Sequence, residues 1–398
     1  MVPERFSGLP EYAFPRLRRL LDGLTPGGPV VDMTIGEPRH PMPDFLMDVL
    51  ASQSQGFAKY PPNEGAEDLR VAIAEWIGRR YGAAADPATE ILALNGTREG
   101  LFNAGLALCP EAKAGSRPVV LVPNPFYQVY AVAAAAAGAE PVFVNATAET
   151  GFLPDFASLA PEILDRTAIA YICSPSNPQG AVADRAYWQT LLTLAEQHDF
   201  LVFADECYSE IWRSAAPTGA WQVAHEMGIS RERILIFHSL SKRSNLPGLR
   251  AGFCATGAAN MAQLRRLRSY AGAPLPLPVQ HAAAACWRDE SHVVRSRKLY
   301  HEKYRIADGI MGGLEGFVPP EGGFFLWLPV PDTLGNGEEA ARAIYVRTGV
   351  KLLPGAYLSR DTAEGNPGDR YIRVAMVADA GEMARGLEAV RAMLDGSA

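Results

Sequence analysis

Phe237-His238-Ser239-Leu240-Ser241-Lys242-Arg243-Ser244-Asn245-Leu246-Pro247-Gly248-Leu249-Arg250 is the stretch on which the reading of this chain turns. The apolar run Ile234-Leu235-Ile236-Phe237 feeds it as a strand. That strand delivers Ser239 and Ser241, then Lys242, then a Pro247-Gly248 turn and Arg250. A lysine amine is a nucleophile only once it has lost its proton, and neighbouring hydroxyls and an arginine help arrange that. Arginine and serines together also suit a phosphate. Taken alone, the segment can also be read, with less force, as a surface loop with a solvated lysine.

Two further segments bear on that choice. Ala170-Tyr171-Ile172-Cys173 is an apolar strand that runs into Ser174-Pro175-Ser176-Asn177-Pro178-Gln179-Gly180, a turn. Phe200-Leu201-Val202-Phe203-Ala204 is another strand, with Asp205 at its carboxyl end and Tyr208 three residues on. Ligands of open α/β sheets collect outside the carboxyl ends of strands. A lysine beside a phosphate site suggests a Schiff base with pyridoxal 5′-phosphate (PLP). Asp205 suits that cofactor's ring nitrogen, which it would keep protonated as an electron sink. Asn177 and Tyr208 can each hydrogen-bond a ring hydroxyl. Singly, each of these residues reads as a strand cap or turn residue; their succession at strand ends is harder to explain that way.

The order and spacing of Asn177-Pro178, Asp205-x-x-Tyr208, Ser239-x-Ser241-Lys242 and Arg250 resemble the class I/II aminotransferases, PLP enzymes of fold type I. The resemblance implies a large α/β unit with a mostly parallel central sheet flanked by helices, plus a smaller α/β unit. We expect the large PLP-binding domain over 41–285 and the small one over 1–40 and 286–398. Strands are expected at 90–95, 119–122, 141–145, 169–173, 200–204, 234–239 and 251–255, with helices between, including 67–81, 98–109 and 186–198. A long helical stretch is expected over 279–311, short strands at 323–328 and 371–375, and a last helix over 380–394.

The same resemblance assigns roles to outlying residues. Gly96, Thr97 and Arg98 open a helix after a strand, where free amides and the helix dipole favour a phosphate; by itself that turn is only an N-cap. Arg98 departs from relatives that carry a small residue or lysine there, so its amide is expected to contribute while its side chain points elsewhere. In Pro125-Phe126-Tyr127-Gln128-Val129-Tyr130, Tyr127 is the expected stacking partner of the cofactor ring, with Phe126 the second choice and two core aromatics the plain alternative. Gly36 in Ile35-Gly36-Glu37-Pro38 is expected near the substrate carboxylate. Arg373, in the apolar run Tyr371-Ile372-Arg373-Val374-Ala375, is expected to clamp that carboxylate, since an arginine buried without an anion is expensive. Tyr60, in Lys59-Tyr60-Pro61-Pro62, is implied to cross a homodimer interface to the partner's cofactor phosphate. Lys242, Asp205 and Tyr208 are the expected catalytic residues.

The chain has 398 residues and a net charge of −7, which argues against a nucleic-acid partner. Its five cysteines, Cys109, Cys173, Cys207, Cys254 and Cys286, are scattered and read as buried thiols in a reducing compartment. Charges at Glu4, Arg5, Glu11, Arg16, Arg18 and Arg19 interrupt any signal core near the N-terminus. The run from Ala131 to Ala139 falls short of the about 20 residues a membrane span needs. A soluble cytoplasmic protein is expected, with no metal. No DNA-binding domain is expected either, as only about 30 residues precede Gly36, which speaks against a PLP-sensing regulator. A PLP-dependent lyase stays open.

Residues 35–41, 124–130, 204–211 and 241–250 together most resemble bacterial N-succinyl-LL-diaminopimelate aminotransferases. That implies transfer between N-succinyl-LL-2,6-diaminoheptanedioate and 2-oxoglutarate/glutamate in lysine and diaminopimelate biosynthesis. Arg39 and Arg243 are the candidates for reading distal carboxylates. An aspartate, alanine or aromatic aminotransferase is the alternative.

Overall fold

Seven apolar runs between residues 91 and 255 form one sheet in the computed structural model, which describes residues 6 and 11–396. Glu4 and Arg5, and the parts of the expected N-terminal and C-terminal segments at 1–5, 7–10 and 397–398, lie outside the described residues. The strands are β1 (Ile91–Leu94), β2 (Val119–Asn124), β3 (Glu140–Asn145), β4 (Thr167–Cys173), β5 (Leu201–Asp205), β6 (Ile234–Ser239) and β7 (Gly252–Ala255). They lie in the order β1-β7-β6-β5-β4-β2-β3. All neighbours are parallel except β7, which runs antiparallel to both β1 and β6. Every residue of β4 and of β6 is buried, as expected where helices cover both faces of a parallel sheet.

Register brings the chemistry-bearing ends together. Cys173 pairs with Asp205, and Asp205 with Phe237, so β4, β5 and β6 finish at one level. Asn177, Tyr208 and Lys242 follow directly from these ends. A three-stranded antiparallel sheet, β8 (Phe325–Pro329), β9 (Leu353–Pro354) and β10 (Tyr371–Ala375), stands apart in the order β9-β10-β8. The chain near the N-terminus joins it, with Val31–Asp32 pairing parallel to Val350–Lys351.

The expected helix over 279–311 is two helices, Leu277–Arg288 and Ser291–Met311. The break is stabilised by Asp289, whose carboxylate accepts from the His292 amide at 3.0 Å and the Ser291 hydroxyl at 2.8 Å. These bonds satisfy amide and hydroxyl groups at the start of the second helix and favour a restart over continuation. No helix among the described residues is long and apolar enough to cross a membrane.

Arg243 does not face the ligand-binding side. It sits on the one-turn helix Leu240–Arg243, next to Lys242, and a step of one residue turns a side chain by about 100°. Its buried guanidinium donates to the Cys286 carbonyl and to Glu290 Oε1, both at 2.7 Å, and lies over the Trp287 ring at 5.0 Å. Its charge is already spent on packing the helix Leu277–Arg288, so the expectation that it reads a distal carboxylate is corrected. Arg39 is half exposed and faces Glu382 at 3.9 Å, outside the cavity described below. Arg243→Ala should cost roughly 1–3 kcal/mol of stability by leaving a buried carbonyl unpaired. Urea unfolding together with steady-state kinetics checks this: the unfolding midpoint should fall while KM for every substrate stays put.

Candidate active site

The strand ends and the small sheet enclose a cavity of about 310 Å³. Of the residues expected from sequence, Gly36, Thr97, Arg98, Phe126, Tyr127, Asn177, Asp205, Tyr208, Ser239, Lys242, Arg250 and Arg373 all line it. Gly96 is buried just behind Arg250. Tyr60 is fully exposed and does not reach the cavity of its own chain.

Lys242 projects from the short helix that Ser239 caps, the Ser239 hydroxyl accepting from the Ser241 amide at 3.1 Å. Its amine donates to the Gly36 carbonyl and lies 5.2 Å from the centre of the Phe324 ring and 5.8 Å from that of Tyr208. Burial, with the Arg373 guanidinium adding to it, brings the ammonium down from 10.5 to about 8. At neutral pH a useful fraction is therefore free amine.

Asp205 is 5 % exposed at the end of β5. Burial pushes its carboxyl up, and donors on both oxygens pull it back. The Tyr130 hydroxyl donates to Oδ2 at 2.7 Å and the Cys207 amide to Oδ1 at 3.3 Å. Tyr130 is a functional contact that sequence reasoning missed, although it ends the quoted motif at 125–130. Nothing local marks it, because its partner lies 75 residues away.

Arg373 is buried on β10. It donates to Asn177 Oδ1 at 2.9 Å and to the Thr34 carbonyl at 2.7 Å, and it lies over the Phe325 ring at 4.3 Å. An arginine has only donors, which fixes the Asn177 amide with its oxygen toward the guanidinium. Burial lowers Arg373 to about 10, and its Nε meets no partner among the described residues.

The turn from β1 into the helix Thr97–Leu108 is built for close approach. Gly96 has φ +81°, and a Cβ there would strike the Arg250 guanidinium. Arg250 itself holds a left-handed backbone at φ +56° and donates to the Pro247 carbonyl at 2.9 Å. Amides at the helix start, Arg250, and the Ser239 and Ser241 hydroxyls, 2.9 Å apart, thus share one end of the cavity. Such a set favours a dianionic phosphate.

Tyr127 and Phe126 differ in surroundings. Phe126 is buried against Phe143 at 5.1 Å, whereas Tyr127 is half-buried and packs edge-on to Tyr130 at 5.8 Å. The Arg98 side chain turns to the cavity, its Nε donating to the Tyr127 hydroxyl at 2.6 Å. The side chain is thus turned to Tyr127 at the cavity wall, which leaves only its backbone amide for the turn. Tyr12 and Phe14 complete the mouth, and neither carries a sequence signal for that place.

An amine, a doubly supported carboxylate and a phosphate cradle match the three handles of PLP: its aldehyde, ring nitrogen and phosphate. The space that Gly96 leaves for Arg250 is an independent sign of fit. The model of the family described as aminotransferase class I and II matches residues 28–390. An LL-diaminopimelate aminotransferase of Syntrophobacter fumaroxidans is 32% identical, the match covering 98% of this chain and 97% of that one. A solved aminotransferase of Neisseria meningitidis superposes with a TM-score of 0.93 at 38% identity, covering 99% of this chain and 100% of its own. The aminotransferase AspB of Helicobacter pylori superposes at 0.88 with 32% identity, over 96% of this chain and 98% of its own. The chain belongs to the class I/II aminotransferases, a PLP-dependent family of fold type I.

Proposed function

We propose that this aminotransferase exchanges the amino group of N-succinyl-LL-2,6-diaminoheptanedioate with 2-oxoglutarate, and that Lys242, Asp205 and Arg373 carry the reaction. PLP, when bound, supplies an aldehyde that accepts amino groups and a protonated ring that withdraws the electron pair left at the substrate α-carbon. The Lys242 amine would hold the cofactor and, when free, would take the proton from the substrate α-carbon. Asp205 balances the charge of the ring nitrogen. Arg373, held by Asn177 and Thr34, presents its fork to the α-carboxylate. Asn177 and Tyr208 serve the ring hydroxyl. Gly96, Thr97, Arg98 through its amide, Ser239 and Arg250 serve the phosphate, and Tyr127 stacks on the ring.

Arg98 carries the substrate assignment. It is a third arginine of the cavity, beyond those suited to the α-carboxylate and the phosphate, and it stands at the mouth beside Tyr12 and Tyr127. Among the described residues lining the cavity, Asp205 is the one carboxylate. A free distal ammonium would find no acidic partner among the described residues lining the cavity other than Asp205. A succinylated nitrogen is a neutral amide with a further carboxylate, which suits Arg98 and the aromatic mouth. The relatives named LL-diaminopimelate aminotransferase support the seven-carbon skeleton and make the unsuccinylated substrate the second reading.

Tyr60, fully exposed beside the exposed Phe57, supports a homodimer in which it reaches the partner's phosphate site. All five cysteines are free, which favours a reducing cytoplasm. A sedimentation mass near that of one 42.9 kDa chain at assay concentration would remove the dimer.

In the cofactor-free chain, capture of Lys242 by pyridoxal and borohydride should rise with pH about a midpoint near 8, since only the neutral amine attacks. Peptide mapping that finds another lysine, or a midpoint near 10.5, rejects the role.

With glutamate as donor, N-succinyl-2-amino-6-ketopimelate should be used at a far higher kcat/KM than oxaloacetate or pyruvate. Arg98→Ala should cut that value about tenfold to a hundredfold and leave pyruvate unaffected. Better use of the unsuccinylated keto acid, or an equal loss with pyruvate, would overturn the assignment.

A further inference from the structure

We propose that Tyr130 is the positioning residue that keeps the Asp205 carboxylate anionic and aimed at the PLP ring nitrogen. The inference rests on Asp205 being that nitrogen's partner. Tyr130 is fully buried, and its hydroxyl donates to Oδ2 at 2.7 Å, shorter than the bond the carboxylate accepts from the Cys207 amide at 3.3 Å. Its ring cannot swing away. It stacks on Tyr171 at 4.6 Å with 13° between planes, and Tyr171 is tied in turn by its hydroxyl to the Leu101 carbonyl at 2.8 Å. Gly105 leaves the room for that hydroxyl, since a Cβ there would come to 2.9 Å from it.

The other edge of Tyr130 packs against Tyr127, perpendicular at 5.8 Å. One buried side chain therefore touches both the ring-nitrogen partner and the ring-stacking residue. Around Asp205 the other titratable groups are Cys173, Cys207, Tyr127, Glu206, Tyr208 and Lys242. Burial pushes both thiols well up, so they add no negative charge. Without the Tyr130 donor, a carboxylate this buried favours its protonated form, which cannot pair with a protonated ring nitrogen. Donor strength at position 130 thus sets where the shared proton lies.

The test uses the holoenzyme loaded with ring-15N PLP. Tyr130→Phe keeps the ring packing and removes only the hydroxyl. It should move the 15N resonance toward unprotonated pyridine, weaken PLP binding at least tenfold, and lower kcat about tenfold to a hundredfold with little change in KM. Incorporating 3-fluorotyrosine at position 130, a stronger donor of the same shape, should move the resonance toward pyridinium. Tyr171→Phe, which keeps the stacked ring and removes only the hydroxyl bound to Leu101, should leave the resonance in place. Asp205→Asn separates the two readings. If it moves the resonance while Tyr130→Phe and the fluorinated residue do not, Tyr130 is only a packing residue. If Asp205→Asn moves nothing, the Asp205 assignment fails and the proposal with it.

Discussion

A guanidinium buried among neutral partners sets the terms for the rest of the molecule. Arg373 gives hydrogen bonds to an amide oxygen and a backbone carbonyl and lies on an aromatic face, and none of these carries a negative charge. Burying a cation in this way is costly, and the cost is visible in the fall of its pKa to about 10. An anion of the right width, arriving from the cavity, would relieve it, and the unpartnered Nε faces the same demand. The three segments that hold Arg373 come from β10, the turn after β4, and the chain at Thr34. Both sheets thus meet at one buried charge whose hydrogen-bond partners, Asn177 and Thr34, are neutral.

What the sequence made legible were the strands and the residues at their ends. Runs such as Ala170–Cys173 and Ile234–Phe237 have no polar position to mislead the reader, and both lie inside observed strands. Asp205 stands out because a charged residue directly after such a run has few structural uses, and Lys242 because two serines, a Pro-Gly turn and an arginine surround it. The break at Asp289 was not read, although an aspartate followed by Ser291 and His292 is a local start signal. A count of helical spacing passes over it because neither proline nor glycine marks the place.

Partnerships were not legible, because distance along the chain hides them. Asn177 reads as a ring-hydroxyl donor, yet its oxygen holds an arginine 196 residues away. Arg243 reads as a neighbour of Lys242 and therefore of the ligand, but helix geometry turns it onto Trp287. Arg98 was expected to turn aside, but the acceptor it finds, the Tyr127 hydroxyl 29 residues on, carried no signal in the sequence. In each case the residue type was informative and its direction was not.

Two of the cavity's cations meet on one short piece of backbone. Thr34 offers its carbonyl to Arg373, and Gly36, two residues on, offers its own to Lys242. This segment is pinned from behind: Met33 donates to the Lys351 carbonyl at 3.1 Å and accepts from the Ala375 amide at 2.7 Å. A Cβ on Gly36 would strike the Phe325 ring, so the approach depends on glycine. Holding both cations near one strap lets each feel the other, and Arg373 contributes to the low pKa of Lys242. An anion bound at Arg373 cancels part of that repulsion. The proton affinity of the Lys242 amine is thus tied to the charge around Arg373: the bare guanidinium holds it down, and an anion beside Arg373 would let it rise.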